Sequence, residues 1–105
     1  MEISHAQQQI RSLLDCINEN HQHPNPEMIC YMKVVEELGE MTEVILKTMI
    51  RSRKSEQLSR EECRDELSKE LADAVIAMIS LANDFDIDLD AAIKRKLSVH
   101  QERNT

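Results

Sequence analysis

Between Leu71 and Ala82 the chain is apolar at nearly every position, and no polar face recurs at helical spacing. A helix that is apolar all round is one buried on all sides. One acidic residue, Asp73, interrupts this stretch, and Glu70 stands three residues before it. A buried, unpaired carboxylate costs several kcal/mol, so it needs a partner, a proton or a metal. Whatever fold the chain adopts must cover this helix and accommodate its acid.

The turn-forming residues limit how the chain can do so. With one glycine and two prolines in 105 residues, few sharp reversals are available. One Tyr and one Phe leave no aromatic core. Helix-forming Leu, Ile, Met, Ala and Glu dominate, which predicts a single all-α domain over residues 1–105 with few loops. The formal net charge of −7 argues against a nucleic-acid or membrane-surface partner, and an anionic ligand would need a cation between it and the protein. No apolar run is long enough to span a bilayer and no signal-peptide pattern opens the chain, so the expected location is cytoplasmic. Cys16, Cys30 and Cys63 show no C-x-x-C spacing. They read as reduced thiols rather than a disulfide or zinc framework.

Four helices are expected, over about residues 5–18, 26–52, 60–84 and 89–102. Ser4 with Gln7 has the form of a capping box for the first, and Ile3, Ile10, Leu13, Leu14 and Ile17 give that helix a one-sided apolar stripe for the outside of a bundle. His21, His23, Pro24 and Pro26 mark a loop, with the two histidines solvated. Asn25 then reads as the N-cap of the second helix, whose core side carries Met28, Tyr31, Val34, Val35, Leu38, Met41, Ile45 and Met49. Gly39 inside that helix costs about 1 kcal/mol relative to Ala, which close approach of a neighbouring backbone or ligand would explain. Residues 51–58 form a polar connection. Its Arg51, Arg53 and Lys54 suit the negative end of the second helix. Ser59 and Glu62 form a second capping box for the third helix, and Asp88 caps the fourth. Three other helices of one chain cannot cover the third on every face, so the bundle is expected to be completed by oligomerisation, most simply as a symmetric dimer.

Glu36, Glu40 and Glu43 fall on one face of the second helix, with Glu37 about 60° from Glu40. Glu70 and Asp73 repeat the i, i+3 spacing on the third. Carboxylates so spaced have Cβ atoms about 5–6 Å apart and can share a cation. Two such pairs on facing helices offer hard oxygen ligands suited to Mg²⁺ or Mn²⁺. One E-x-x-E alone is an ordinary solvated acidic face, and Glu62 and Glu66 read that way. A di-iron carboxylate bundle expects an E-x-x-H motif on each of two helices, and this chain has that spacing only once, at Glu2 and His5.

Glu36-Glu37-Leu38-Gly39-Glu40-Met41 followed by Glu70-Leu71-Ala72-Asp73 resembles the E-x-x-E … E-x-x-D signature of MazG-type, all-α nucleoside triphosphate pyrophosphohydrolases. The continuation through Leu81-Ala82-Asn83, Ile87-Asp88-Leu89-Asp90 and Lys96-Leu97 is also similar to that family, as is His23-Pro24-Asn25-Pro26. The resemblance covers residues 23–103. It implies a four-helix MazG-like bundle and Mg²⁺-dependent cleavage of a (d)NTP to monophosphate and pyrophosphate. Carried over by position, Glu37, Glu40, Glu70 and Asp73 would bind metal. Glu37 or Glu40 would handle the attacking water, with Glu36 as an auxiliary acid. Lys96, and less directly Lys94 and Arg103, would reach phosphate; each taken alone is a solvated side chain. Two departures stand out. The stretch between Met41 and Lys69 lies at the long end of the family spacing, and His100 occupies a position where many relatives carry Asn.

The expected function is therefore nucleotide-pool house-cleaning by a homo-oligomer, dimer or tetramer. A related dCTP/dUTP-type or phosphoribosyl-ATP-type pyrophosphohydrolase is the enzymatic alternative. A non-catalytic helical oligomer that binds Mg²⁺ or nucleotide is the other.

Overall fold

The computed structural model describes residues 2–49 and 59–103. All regular structure among them is helical: α1 (Glu2–Leu13), α2 (Cys16–Glu19), α3 (Pro26–Met49), α4 (Arg60–Asp84) and α5 (Leu89–Arg103). The all-α class thus holds, with four long helices and the single turn α2. The expected helix end at Ser52 and the polar connection with Arg51, Arg53 and Lys54 lie outside the described residues, as does the Met49 side chain.

Three helix starts follow local chemistry legible in the sequence. Asn25 Oδ1 accepts from the Met28 amide at 3.2 Å and Asp88 Oδ1 from the Ala91 amide at 3.0 Å. At α4 both halves of the capping box form, Glu62 N–H to Ser59 Oγ at 3.1 Å and Ser59 N–H to Glu62 Oε1 at 3.4 Å. Each bond satisfies an amide with no partner inside its helix. The first helix differs from expectation. It begins at Glu2 and stops at Leu13, and the chain restarts as α2. The break has a cause: the Asp15 carboxylate accepts from the Asn18 amide at 3.1 Å, a local bond that competes with continued helix. Gln7 is not part of a capping box either. It is buried and bonds across the fold. Past α4, Asp86 takes the left-handed conformation (φ 52°) and lets the Ile87 amide reach back to the Ala82 carbonyl at 2.9 Å, a closure that aspartate tolerates better than most residues.

The main packing seam lies between α3 and α4, with α1 against α4 and α5, and α2 wedged on α3 and α4. Cys30, Val34 and Val44 from α3 and Ala74, Ile79 and Ala82 from α4 are buried. Four residues expected on the core side of α3 are not in this core: Met28, Tyr31, Val35 and Leu38 are exposed. They form a second apolar row that α4 does not face. On α4 the same holds for Leu71, Val75, Ile76 and Met78, and Asp73 beside them is exposed rather than buried. The all-round apolar helix is covered on one side only within a single chain. The Cα radius of gyration, 17.1 Å, accordingly exceeds the ~13 Å of a closed domain of about this length. Gly39 meets nothing: a Cβ built there has no neighbour within 4 Å, so close approach within the chain does not explain it.

Two cross-links fix the periphery. Gln7 on α1 bonds Asn83 on α4 and also ties down the α4–α5 turn, donating to the Ile87 carbonyl at 2.9 Å and accepting from the Leu89 amide at 3.0 Å. Second, Cys16 and Cys30 form a disulfide, with Cα atoms 5.9 Å apart. This corrects the reading of all three cysteines as free thiols; only Cys63 is free. Sequence spacing gave no warning, because pairing depends on α2 folding back onto α3, and that follows from the break at Asp15. Among the described residues no helix is long and apolar enough to cross a membrane.

Candidate metal-binding site

Helices α3 and α4 run antiparallel, so that Cys30 lies near Asp84 and, further along, Glu37 lies near Glu70 and Asp73. Seven residues separate Cys30 from Glu37, about 10 Å of helix. The seam thus carries two separate clusters of ligand-type side chains.

In the first cluster, Glu37, Glu70 and Asp73 each bring a carboxylate oxygen within 4.8 Å of the others. Glu37 sits a half-buried position away from Val34 and Met41 on the seam side of α3, and Glu70 sits one turn before the fully buried Ala74. Glu40 does not belong to the group of three, though its charge acts on both glutamates. Glu36 is exposed.

Oε2 of Glu37 and Oε2 of Glu70 are buried and receive no hydrogen bond. Both carboxyls are pushed above the usual carboxylate range. Desolvation is the largest cause for each, followed by repulsion from Glu40. Repulsion from Asp73 pushes in the same direction. Such a group of oxygens, crowded and short of donors, is stabilised either by protons or by a cation.

A cleft of about 200 Å³ opens beside this group, between the α3–α4 seam and α2. Its apolar wall includes Leu14, Ile76 and Leu81; its polar lining includes Lys33, Glu37, Asp73, Ser80 and Asp84. Lys33, one turn before Glu37 on the same side of α3, is the cleft cation that sequence reasoning missed. Its only signal was i, i+4 spacing to Glu37. The four expected phosphate contacts lie elsewhere. Lys94 pairs with the buried Asp90 at 3.0 Å, α5 packs on α1, and none of Lys94, Lys96, His100 and Arg103 lines the cleft. His21 and His23 make only local bonds, to Asn18 O and the Asn25 amide, as expected for a solvated loop.

Compared with known proteins, the chain matches no family model, no curated protein and no solved structure.

Proposed function

We propose that this chain is a MazG-like, Mg²⁺-dependent pyrophosphohydrolase acting on nucleoside triphosphates, working in the cytoplasm as a homo-oligomer. The observation that carries the reading is the convergence of Glu37, Glu70 and Asp73 from two facing helices, with two buried oxygens lacking donors. These groups fit a hard divalent cation, which takes carboxylate oxygens and keeps water and phosphate oxygens as its other ligands. Mn²⁺ would suit the same donors.

A bound Mg²⁺ would supply Lewis acidity and charge neutralisation at the phosphates. The chain's own residues do the rest. Glu37, Glu70 and Asp73 would hold the cation. Glu40, exposed beside them, has free access to solvent and orients or deprotonates the attacking water, with Glu36 as an auxiliary acid. Lys33 opposes phosphate charge from the cleft wall, where charge on the leaving pyrophosphate must be balanced. Lys94, Lys96, His100 and Arg103 serve phosphate only if a second copy brings its α5 alongside. The cleft, at about 200 Å³, falls below the ~300 Å³ typical of small-molecule sites. It houses one end of a nucleotide and leaves the triphosphate to lie over the carboxylates.

The uncovered rows on α3 and α4 favour assembly with a second copy, as dimer or tetramer. The enzymatic test is incubation with a panel of (d)NTPs and phosphoribosyl-ATP plus Mg²⁺, with pyrophosphate as the readout. Release from one or more nucleotides is expected. No release from any at high protein, with nucleotide still bound, would leave the non-catalytic binding reading in its place.

A further inference from the structure

The second cluster on the seam, Cys16, Cys30 and Asp84, is not used by the proposed hydrolysis. We propose that, once the Cys16–Cys30 bond is reduced, the two thiolates and the Asp84 carboxylate form a binding site for one soft divalent cation, with Zn²⁺ the best fit. Relevance in the cell rests on the cytoplasmic placement proposed above, because that compartment keeps thiols reduced. The chemistry of the site does not.

Three observations converge. One ligand atom from each residue lies within 4.8 Å of the other two, and both cysteines are buried, at 7% and 4% exposure. Independently, Asp84 Oδ2 is buried with no hydrogen-bond partner. Its surroundings add negative charge from Asp15 and Glu27, and Arg11 is the opposing cation. A disulfide is neutral and donates nothing, so the oxidised pair leaves Asp84 Oδ2 without a partner. Two thiolates and a carboxylate around one divalent cation leave a single net negative charge, which faces Arg11.

The geometry permits the change. A tetrahedral zinc with Zn–S bonds of about 2.3 Å sets its sulfurs roughly 3.8 Å apart. The cysteine Cα atoms are 5.9 Å apart, so side-chain rotation alone separates the sulfurs by that amount. Cys30 and Asp84 stand on the two longest helices of the fold, which holds two of the three ligands rigid. A fourth position faces the cleft and water. Thiolate donors strongly favour Zn²⁺ over Mg²⁺, whereas carboxylate-only donors suit Mg²⁺ where it is the abundant cation, so the two clusters on this seam suit different cations.

The redox step is thiol–disulfide exchange with an external dithiol. Its two thiols give up two electrons and become a disulfide, while two protons end on Cys16 and Cys30. Cation binding then displaces those protons.

The test uses the full chain carrying Cys63→Ser, reduced with a dithiol that is removed under inert gas. Co²⁺ is the spectroscopic probe. One equivalent should bind with a thiolate-to-cobalt charge-transfer band and tetrahedral d–d bands, both bleached by Zn²⁺. The oxidised protein should show neither. Asp84→Asn should weaken binding at least tenfold, and Cys16→Ala or Cys30→Ala should abolish the charge-transfer spectrum, with circular dichroism establishing that each variant is helical. Absence of the band in reduced, helical protein whose two thiols alkylate overturns the proposal. So does a band that Asp84→Asn leaves unchanged. Neither readout involves nucleotide or Mg²⁺, so this test fails or succeeds independently of the hydrolase reading.

Discussion

Gln7 on α1 and Asn83 on α4, 76 positions apart, exchange two hydrogen bonds: Gln7 Nε2 to Asn83 Oδ1 at 3.0 Å, and Asn83 Nδ2 to the Gln7 carbonyl at 3.1 Å. Both residues are buried, so each amide replaces water for the other. Asn83→Leu keeps the branched shape but leaves one Gln7 side-chain N–H without its acceptor, while the Gln7 carbonyl keeps its bond within α1. Removing one side of a buried pair costs about 1–3 kcal/mol per stranded group. The expected result is a loss of about 1–3 kcal/mol on this basis, read as a lower urea midpoint at unchanged slope. A parent-like midpoint would mean that solvent satisfies these groups and that α1 is not pinned here.

The acidic group ties the stability of the fold to pH. Glu37 and Glu70 have folded-state carboxyls raised above their unfolded values. Between the two values the folded chain holds more protons than the unfolded one, so stability falls as pH rises through that window. Metal-free protein should therefore melt higher at a pH just above about 4.3, the ordinary glutamate value, than at pH 7. Mg²⁺ should raise the neutral-pH melting temperature by replacing the protons. Glu70→Gln should flatten the pH dependence and abolish most of the Mg²⁺ effect. It should also lower any pyrophosphate release by at least about a hundredfold, since even outer-shell changes at metal sites cost 10–100-fold. A Mg²⁺ effect that persists in Glu70→Gln removes this residue from the ligand set.

The disulfide closes a loop of sequence separation 14. Cross-linking a loop of this size stabilises by about 3 kcal/mol through the unfolded chain. Cys30→Ser should cost that much in oxidising buffer and little in metal-free reducing buffer, where the parent has lost the bond too. Chemical denaturation of both proteins in both buffers decides it. An equal deficit in the two buffers would assign the cost to lost packing of the Cys30 side chain instead.

What the sequence made legible was mainly local or periodic. Asn25, Ser59 with Glu62, and Asp88 mark helix starts because each cap needs only neighbours within three residues. Glu37, Glu70 and Asp73 could be grouped because i, i+3 spacing fixes a helix face and antiparallel helices then oppose two such faces. Apart from Lys33, the misses were long-range or competitive. Asp15 breaking the first helix depended on one local bond winning over another. The Cys16–Cys30 pair depended on that break. Gln7 looked like half of a capping box, and its real partner is 76 residues away. The apolar rows around Tyr31 and Val75 were rightly read as apolar, but periodicity cannot say whether a row is covered by the same chain or by another.

Leu71, Val75 and Met78 form an i, i+4, i+7 row on α4 and are all exposed, as is the row of Tyr31, Val35 and Leu38 on α3. Among the described residues no large side chain is fully buried, so the single chain has a thin core for its length. Apolar area covered by a second copy would supply what is missing, at about 25 cal/mol per Å². Sedimentation of the parent should give a dimer or larger. Val75→Asp places a charge on the row, and burying it would cost several kcal/mol. Weakening of assembly by more than about a hundredfold is expected, since each 1.4 kcal/mol is tenfold. Gly39→Ala separates the two faces further. With open space around Gly39 in the single chain, Ala should raise stability by about 0.4–1 kcal/mol. If it instead dissociates the assembly, a partner backbone approaches α3 at that point. A parent that sediments as a folded monomer at all concentrations would show that these rows need no partner, and the oligomeric reading would fall with them.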